Sequence, residues 1–387
     1  MSITHWQVTV PNVTFGPGSV QHSADLLTHR GLSRPMLVTD PGVLCQPFTQ
    51  TLIELLKENN CVVSTYSDIK GNPTKNNVDN GVVQFVEKNC DSIIALGGGS
   101  AIDVAKAMSL VARNKNNLWL YCYFEDPSTL PPINSAEDFV PLMIIPTTAG
   151  TGSELSGSSC VITDEERHQK RVAYHPQHFP FAVVADPELL KTLPKHISAW
   201  TGMDALTHAI EAYCAPGFNP LCDGIALEAV RLCHEYLADS INSDDVLPGR
   251  TQMMAASSIA AVAFTSKGLG SVHSIAHALG AMLDIHHGLA NAVVLPYVLK
   301  FNISEIATKL TTLANLLALP DRTAEGFINW IEALRLQLAI PNNLKELDVK
   351  AEQLPSIAAL AYKDTEHHTN PIAMSEQDFL TILNAAF

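Results

Sequence analysis

The sequence predicts an N-terminal α/β domain with a parallel sheet over residues 1–190, followed by an all-α domain over residues 191–387. Three observations carry this. A chain of 387 residues exceeds what one hydrophobic core organises, and 47% hydrophobic residues are enough for two cores. Up to about Asp186, short β-rich runs alternate with amphipathic stretches, the pattern of βαβ units. From Ser198 onward, apolar residues recur at three and four, as in Trp200, Met203, Ala205, Leu206, Ala209 and Ile210, and strand-like alternation nearly vanishes.

Taken in order, PMLVTD predicts a strand, the stretch around Thr49–Glu58 a helix, CVVSTYSD a strand and Val78–Lys88 a helix. SIIALGGGS, VPLMIIPTT and FAVVADP supply three further strands, and the α/β half closes near the segment Pro187–Pro194. In the second half, the uncharged run Thr251–Ser266 contains Ser, Thr and Gln and falls short of a bilayer span, so it reads as a buried, Ala-rich helix.

The 39 acidic residues outweigh 24 basic ones, and a formal charge of −15 repels phosphate backbones and anionic lipid. Nucleic acid and membrane are thereby disfavoured as partners. The opening residues lack the basic start, apolar core and small-residue cleavage site of a secretory signal, which predicts a cytoplasmic chain. The eight cysteines contain no Cys-x-x-Cys pair, so they read as reduced and structural.

DSIIALGGGSAIDVAKAMSLV reads as a strand, a triple glycine and a helix that begins near Ser100 with Asp103 in its first turn. Glycines admit a close-approaching pyrophosphate, and a helix N-terminus offers it unpaired N–H groups. Such turns also arise for steric reasons alone, and G-x-G-x-x-G spacing is absent. PTTAGTGSE, residues Pro146–Glu154, again follows a strand and concentrates small hydroxyl residues. Two such loops at the ends of parallel strands point to a dinucleotide more strongly than either alone. Asp40, directly after PMLVT, suits the adenosine ribose of NAD and would repel the 2′-phosphate of NADP. The competing reading is that Asp40 only initiates the Asp-Pro-Gly turn.

Asp204 and His208 lie four apart in TGMDALTHAIEAY and so project from one helix face. His273 and His277 repeat that spacing in GLGSVHSIAHALGAMLDIHHGLANAVVLP, with His286 and His287 just beyond. An Asp and several imidazoles on apolar helices each cost free energy to bury unless paired or coordinated, and one metal ion satisfies them together. Mixed carboxylate and imidazole donors suit Fe(II) or Zn(II). Spacing alone does not decide which of His273, His277, His286 and His287 coordinate.

Together these segments resemble the iron-containing, group III alcohol dehydrogenases, a family that includes lactaldehyde reductases and propanediol and butanol dehydrogenases. GGGSAIDVAK, PTTAGTGSE, GMDALTHAIE and HHGLANAVVLP occur in the family's order, and the resemblance covers nearly the whole chain. It implies a dehydroquinate-synthase-like two-domain fold and NAD-dependent interconversion of a primary alcohol and its aldehyde. It implies Asp204, His208, His273 and His287 as ligands of a metal, Fe(II) or alternatively Zn(II), with His277 near nicotinamide and substrate as a proton relay. Gly98, Gly99 and Ser100 are implied at the pyrophosphate, with Asp103 in the same helix turn. Thr147, Thr148 and Thr151 line the cofactor cleft, Asp40 faces the ribose, and Asn72 and Lys170 match cofactor-side positions. A homodimer formed through the N-terminal strand near WQVTVP is implied as well. The tail DTEHHTNP varies within the family, so His367 and His368 either tune specificity or decorate a turn. The alternatives are a dehydroquinate-synthase-like lyase, which would need basic residues for a phosphorylated acid where only Lys267 is near, and a catalytically silent NAD-binding or filament-forming protein, against which the intact ligands argue.

Overall fold

The computed structural model describes residues 8–122, 130–132 and 136–387, and they form two units. The first comprises Thr9–Thr148 and Ser153–Leu193; the second includes Ala149–Gly152 and Pro194–Phe387.

The first unit is built on a six-stranded sheet, parallel throughout. In chain order its elements are β1 (Val13–Phe15), α1 (Ser23–Thr28), β2 (Pro35–Val38), α2 (Pro41–Leu44), α3 (Pro47–Glu58), β3 (Ser64–Tyr66), α4 (Lys75–Glu87), β4 (Ser92–Gly97), α5 (Gly99–Val111) and β5 (Leu142–Pro146). An antiparallel hairpin of β6 (Cys160–Asp164) and β7 (Gln169–Ala173) follows, and β8 (Ala182–Ala185) completes the sheet. Every residue of β2, β4, β5 and β8 is buried, as expected of parallel strands covered on both faces. The core on one side packs Leu37, Leu52, Leu56, Ile94, Leu96, Met143, Ile145 and Val184 together.

The strands PMLV, STY, SIIALG, LMIIP and AVVA lie within the five runs that the sequence indicates, whereas β1 and the hairpin go beyond that reading. The hairpin is short and turns at His168, whose φ of 50° is left-handed. Of WQVTVP, Trp6 and Gln7 lie outside the described residues, and the first described strand is β1.

The sheet order β1-β8-β5-β4-β2-β3 has a consequence for binding. The chain leaves β2 toward β3 on one side and resumes at β4 on the other. The carboxyl ends of β2 and β4 therefore flank a topological switch point, the position at which open α/β sheets hold ligands. Asp40 follows one of these strands and Gly98 the other.

The second unit is helical: α6 (Lys195–Cys214), α7 (Pro220–Tyr236), α8 (Asp239–Asn242), α9 (Leu247–Lys267), α10 (Ser271–Leu283), α11 (His287–Leu316), α12 (Ala324–Gln337), α13 (Leu354–Lys363) and α14 (Glu376–Ala385). The run Thr251–Ser266 lies within α9, and among the described residues no helix is long and apolar enough to cross a membrane. α6 is buried almost all round from Ser198 to Cys214, the mark of a central helix. It ends where Pro216 forces Ala215 into an extended conformation. The Lys309 ammonium then takes up the freed carbonyls of Tyr213, Cys214 and Ala215 at 2.7, 3.3 and 3.1 Å, a cation placed where the helix dipole is negative.

Candidate metal centre and nucleotide loops

α6 presents Asp204 and His208 one turn apart, and both are buried. α10 presents His273 and His277 in the same way, again buried. α10 stops at Asp284, whose left-handed φ of 55° turns the chain, so that His287 becomes the first residue of α11. Gly288 makes the return possible: a Cβ there would lie 2.4 Å from the Trp200 carbonyl oxygen and 3.2 Å from the Asp204 Cβ. The first turn of α11 therefore lies directly against α6.

Nε2 of His208, His273 and His287 then stand 3.9, 3.9 and 3.6 Å from Asp204 Oδ1. All four donor atoms lie within 4.8 Å of one another. Ligands about 2.0–2.1 Å from a tetrahedral ion are separated by about 3.3–3.4 Å, so the three distances to Asp204 Oδ1 exceed coordinating separation by roughly 0.2–0.6 Å. Of the two adjacent histidines, His286 instead packs its ring on Trp200 at 5.1 Å.

The electrostatics also suit a cation. Burial pushes His208 down to about 4, so its ring is neutral near pH 7 and brings no charge to the buried Asp204 carboxylate. An uncompensated buried carboxylate costs several kcal/mol. Here the Asn291 amide stands among the donors, giving a hydrogen bond to Asp204 Oδ1 at 2.7 Å and lying 3.3 and 3.2 Å from Nε2 of His273 and His287. Its own Oδ1 is buried without a hydrogen-bond partner. One carboxylate oxygen and three imidazole nitrogens, gathered round a lone neutral donor, fit a divalent metal.

Three of the rings, those of His208, His273 and His277, are oriented from behind. His208 Nδ1 lies 3.2 Å from the Gly150 carbonyl oxygen, so PTTAGTGSE contributes backbone to the helical unit. Gly150 and Gly152 fit there because Cβ atoms would collide with Thr201 and with Ser257 and Ala261. His273 Nδ1 donates to Glu211 Oε2 at 2.5 Å, and His277 Nδ1 donates to Asp364 Oδ2 at 2.8 Å. Asp364 is fixed through Oδ1, which accepts from Ser274 Oγ and the Glu366 amide at 2.8 and 2.9 Å. Beside it, burial and then the Asp364 charge raise Glu366 above the usual carboxylate range. In the same tail His367 is buried, with Nε2 2.9 Å from the Tyr362 carbonyl oxygen, and His368 is exposed.

Sequence reasoning missed Glu211, Asn291 and Asp364. For two of them the signal was spacing: Glu211 follows His208 by three residues, and Asn291 follows His287 by four, so each shares a helix face with a ligand.

In the sheet unit, Gly97 and Gly98 lie where α5 begins, and β4 pairs Gly97 with Pro146 of β5. Thr147 is buried and donates its amide to the Gly97 carbonyl at 2.9 Å. A Cβ on Gly97 would meet Ala101 Cβ at 2.6 Å, and one on Gly98 would meet Thr148 Cγ2 at 3.1 Å. The two loops are therefore neighbours, and the first presents the α5 N-terminus. Asp40 uses Oδ1 to cap α2, accepting from Gly42 and Val43 amides at 2.9 Å each, which leaves Oδ2 uncommitted to the cap. Ser100 Oγ donates to the Gly71 carbonyl, beside Asn72, at 2.6 Å. Asp103 accepts from Ser153 Oγ and the Val161 amide at 2.7 and 3.1 Å, fixing the hairpin on which Lys170 lies. Thr151 falls in the segment counted with the helical unit.

Residues 11–187 match the family profile described as iron-containing alcohol dehydrogenase, and residues 198–387 match the Fe-containing alcohol dehydrogenase family, C-terminal. The 1,3-propanediol dehydrogenase of Klebsiella pneumoniae is 34% identical, with both chains covered in full. The NAD-dependent methanol dehydrogenase of Bacillus methanolicus is 33% identical over 97% of this chain and 98% of its own. Among solved structures, a 1,3-propanediol oxidoreductase superposes with a TM-score of 0.92 at 32% identity, covering 99% of this chain and 100% of that one.

Proposed function

This chain belongs to the iron-containing alcohol dehydrogenase family, and on that premise we propose which side chains carry its activity. The activity is metal-dependent and NAD-dependent oxidoreduction, interconverting a primary alcohol and its aldehyde, and the comparisons favour it over a lyase of the dehydroquinate-synthase type.

Asp204, His208, His273 and His287 would hold a divalent ion, Fe(II) by family and Zn(II) by donor chemistry as the other candidate; bound there, it supplies a Lewis acid for the substrate oxygen. In the oxidising direction the alcohol carbon gives a hydride to NAD and the hydroxyl gives up a proton. His277 is the relay for that proton: Asp364 engages Nδ1, so Nε2 is the ring atom that exchanges. Asp364 is a positioning residue in this scheme, itself held by Ser274 and the Glu366 amide. For NAD, the α5 N-terminus at Gly98, Gly99 and Ser100 would take the pyrophosphate and Asp40 Oδ2 the adenosine ribose. Thr147, Thr148, Thr151, Asn72 and Lys170 complete the cofactor contacts, and Asp103 acts through the hairpin it fixes.

Methanol and 1,3-propanediol, in the names of the relatives, are both primary alcohols, which supports a small primary alcohol or diol as substrate. The free cysteines, most of them buried, suit a reducing compartment and so a cytoplasmic enzyme. A homodimer completes the reading, and light scattering on the purified protein tests it.

The convergence of four donor atoms carries the proposal. Its test is alcohol-dependent NADH formation by protein stripped of metal and then reconstituted with Fe(II) or Zn(II). Activity should return with the ion. Equal turnover by the stripped protein would overturn the reading.

A further inference from the structure

We infer that Glu211 is a positioning residue that sets how tightly the helical unit holds its metal, by fixing the tautomer and direction of His273. The inference rests on the ligand set proposed above.

Glu211 lies on α6 seven residues after Asp204 and three after His208, on the face that carries both. It is 7% exposed, and both of its oxygens are engaged by α10. Oε1 accepts from the Val272 amide at 2.8 Å, and Oε2 accepts from His273 Nδ1 at 2.5 Å. Val272 is in the first turn of α10, where a carboxylate is favoured by unpaired N–H groups and the positive end of the helix dipole. Gly270 supplies the room, since a Cβ there would lie 2.8 Å from Glu211 Oε1. The carboxylate is thus anchored by the helix whose histidine it orients.

The chemical consequence follows from proton placement. An acceptor-only carboxylate at Nδ1 keeps the ring proton on that nitrogen, so the lone pair stays on Nε2, the atom 3.9 Å from Asp204 Oδ1. A carboxylate behind an imidazole also strengthens it as a donor to a metal. His208 has a backbone carbonyl in the equivalent place, which orients the ring without a full negative charge.

Glu211→Gln separates this role from packing. The amide is nearly isosteric but offers one acceptor and one NH2 group. If the oxygen faces Val272, the NH2 faces Nδ1 and favours the proton on Nε2, which blocks coordination. If the amide flips, NH2 meets the Val272 N–H and the anchor is lost. The experiment is chelator competition with Zn(II) on metal-free wild type, Glu211→Gln, Glu211→Ala and His273→Ala, with thermal unfolding of each metal-free protein as the folding control. Both Glu211 variants should bind Zn(II) about 10- to 100-fold more weakly than wild type, with Gln giving no rescue over Ala. Wild-type affinity in a folded Glu211→Gln protein, with affinity lost in His273→Ala, would overturn the inference and leave the ligand set standing. Wild-type affinity in His273→Ala would overturn both. If Glu211→Ala does not fold, the Gln variant alone decides.

Discussion

In the function proposed above, the two units would contribute by opposite means. In the sheet unit the proposed cofactor surface is largely backbone: glycines at a strand end, the N-terminus of α5 and a loop hydrogen-bonded to Gly97. In the helical unit the proposed metal surface is side chains, four of them converging from three helices, with Glu211 behind His273. Backbone sites tolerate most side-chain changes and fail when an atom is added. Side-chain sites fail when an atom is removed.

That contrast can be broken by mutation, beginning with the largest expected effect. His273→Ala or His287→Ala should lose bound metal and, with it, several kcal/mol of Lewis-acid stabilisation, a fall in kcat/KM of about 10³-fold or more. NAD binding, measured by titration calorimetry, should persist. Loss of both together would mean that the units are not separable in function.

Asp364→Asn should lower kcat by about 10²-fold, the lower end of what a general acid or base contributes, with metal content unchanged. An Asn amide would place NH2 against His277 Nδ1 and move the proton to Nε2. The pH profile of kcat should change shape; a loss confined to KM would contradict the relay.

Gly98→Ala tests the opposite regime. The new Cβ, 3.1 Å from Thr148 Cγ2, narrows the approach to the α5 N-terminus, and KM for NAD should rise on the order of tenfold, about 1.4 kcal/mol. Metal content should not move, and an unchanged KM would remove Gly98 from the cofactor site.

The smallest effect belongs to Asp40. Asp40→Asn keeps an oxygen for the α2 cap but removes the charge, so the preference for NAD over NADP should shrink severalfold, by about 1 kcal/mol, at unchanged melting temperature. Asp40→Ala should add a stability loss of about 1 kcal/mol from the missing cap. If only stability responds, Asp40 serves its turn and nothing more.

The same contrast explains what could be read from sequence. Charged and imidazole groups on apolar helices stand out, so Asp204, His208 and the histidine-rich segment were legible. The choice of His287 over His286 was not legible from spacing, because it depends on the left-handed turn at Asp284 and the close contact at Gly288. Family resemblance made that choice, and the structure places the His287 donor within 4.8 Å of those of Asp204, His208 and His273. Glu211 resembles any charge on a helix until its partners on α10 are known, and Asp364 lies 87 residues from the ring it orients. In the sheet unit, GGGS reads as a candidate phosphate loop, but the commitments of Ser100 Oγ to Gly71 and of Asp103 to Ser153 and Val161 are tertiary contacts that no local pattern encodes. The hairpin of β6 and β7 was missed because five-residue strands around a polar turn resemble a loop.

X-ray absorption spectroscopy of the anaerobically purified, metal-loaded protein tests the central claim most directly. The account predicts one ion per chain with imidazole nitrogen and carboxylate oxygen in its coordination sphere, and with the imidazole signal diminished in His287→Ala. A sphere without imidazole, or one unchanged by that substitution, would contradict it.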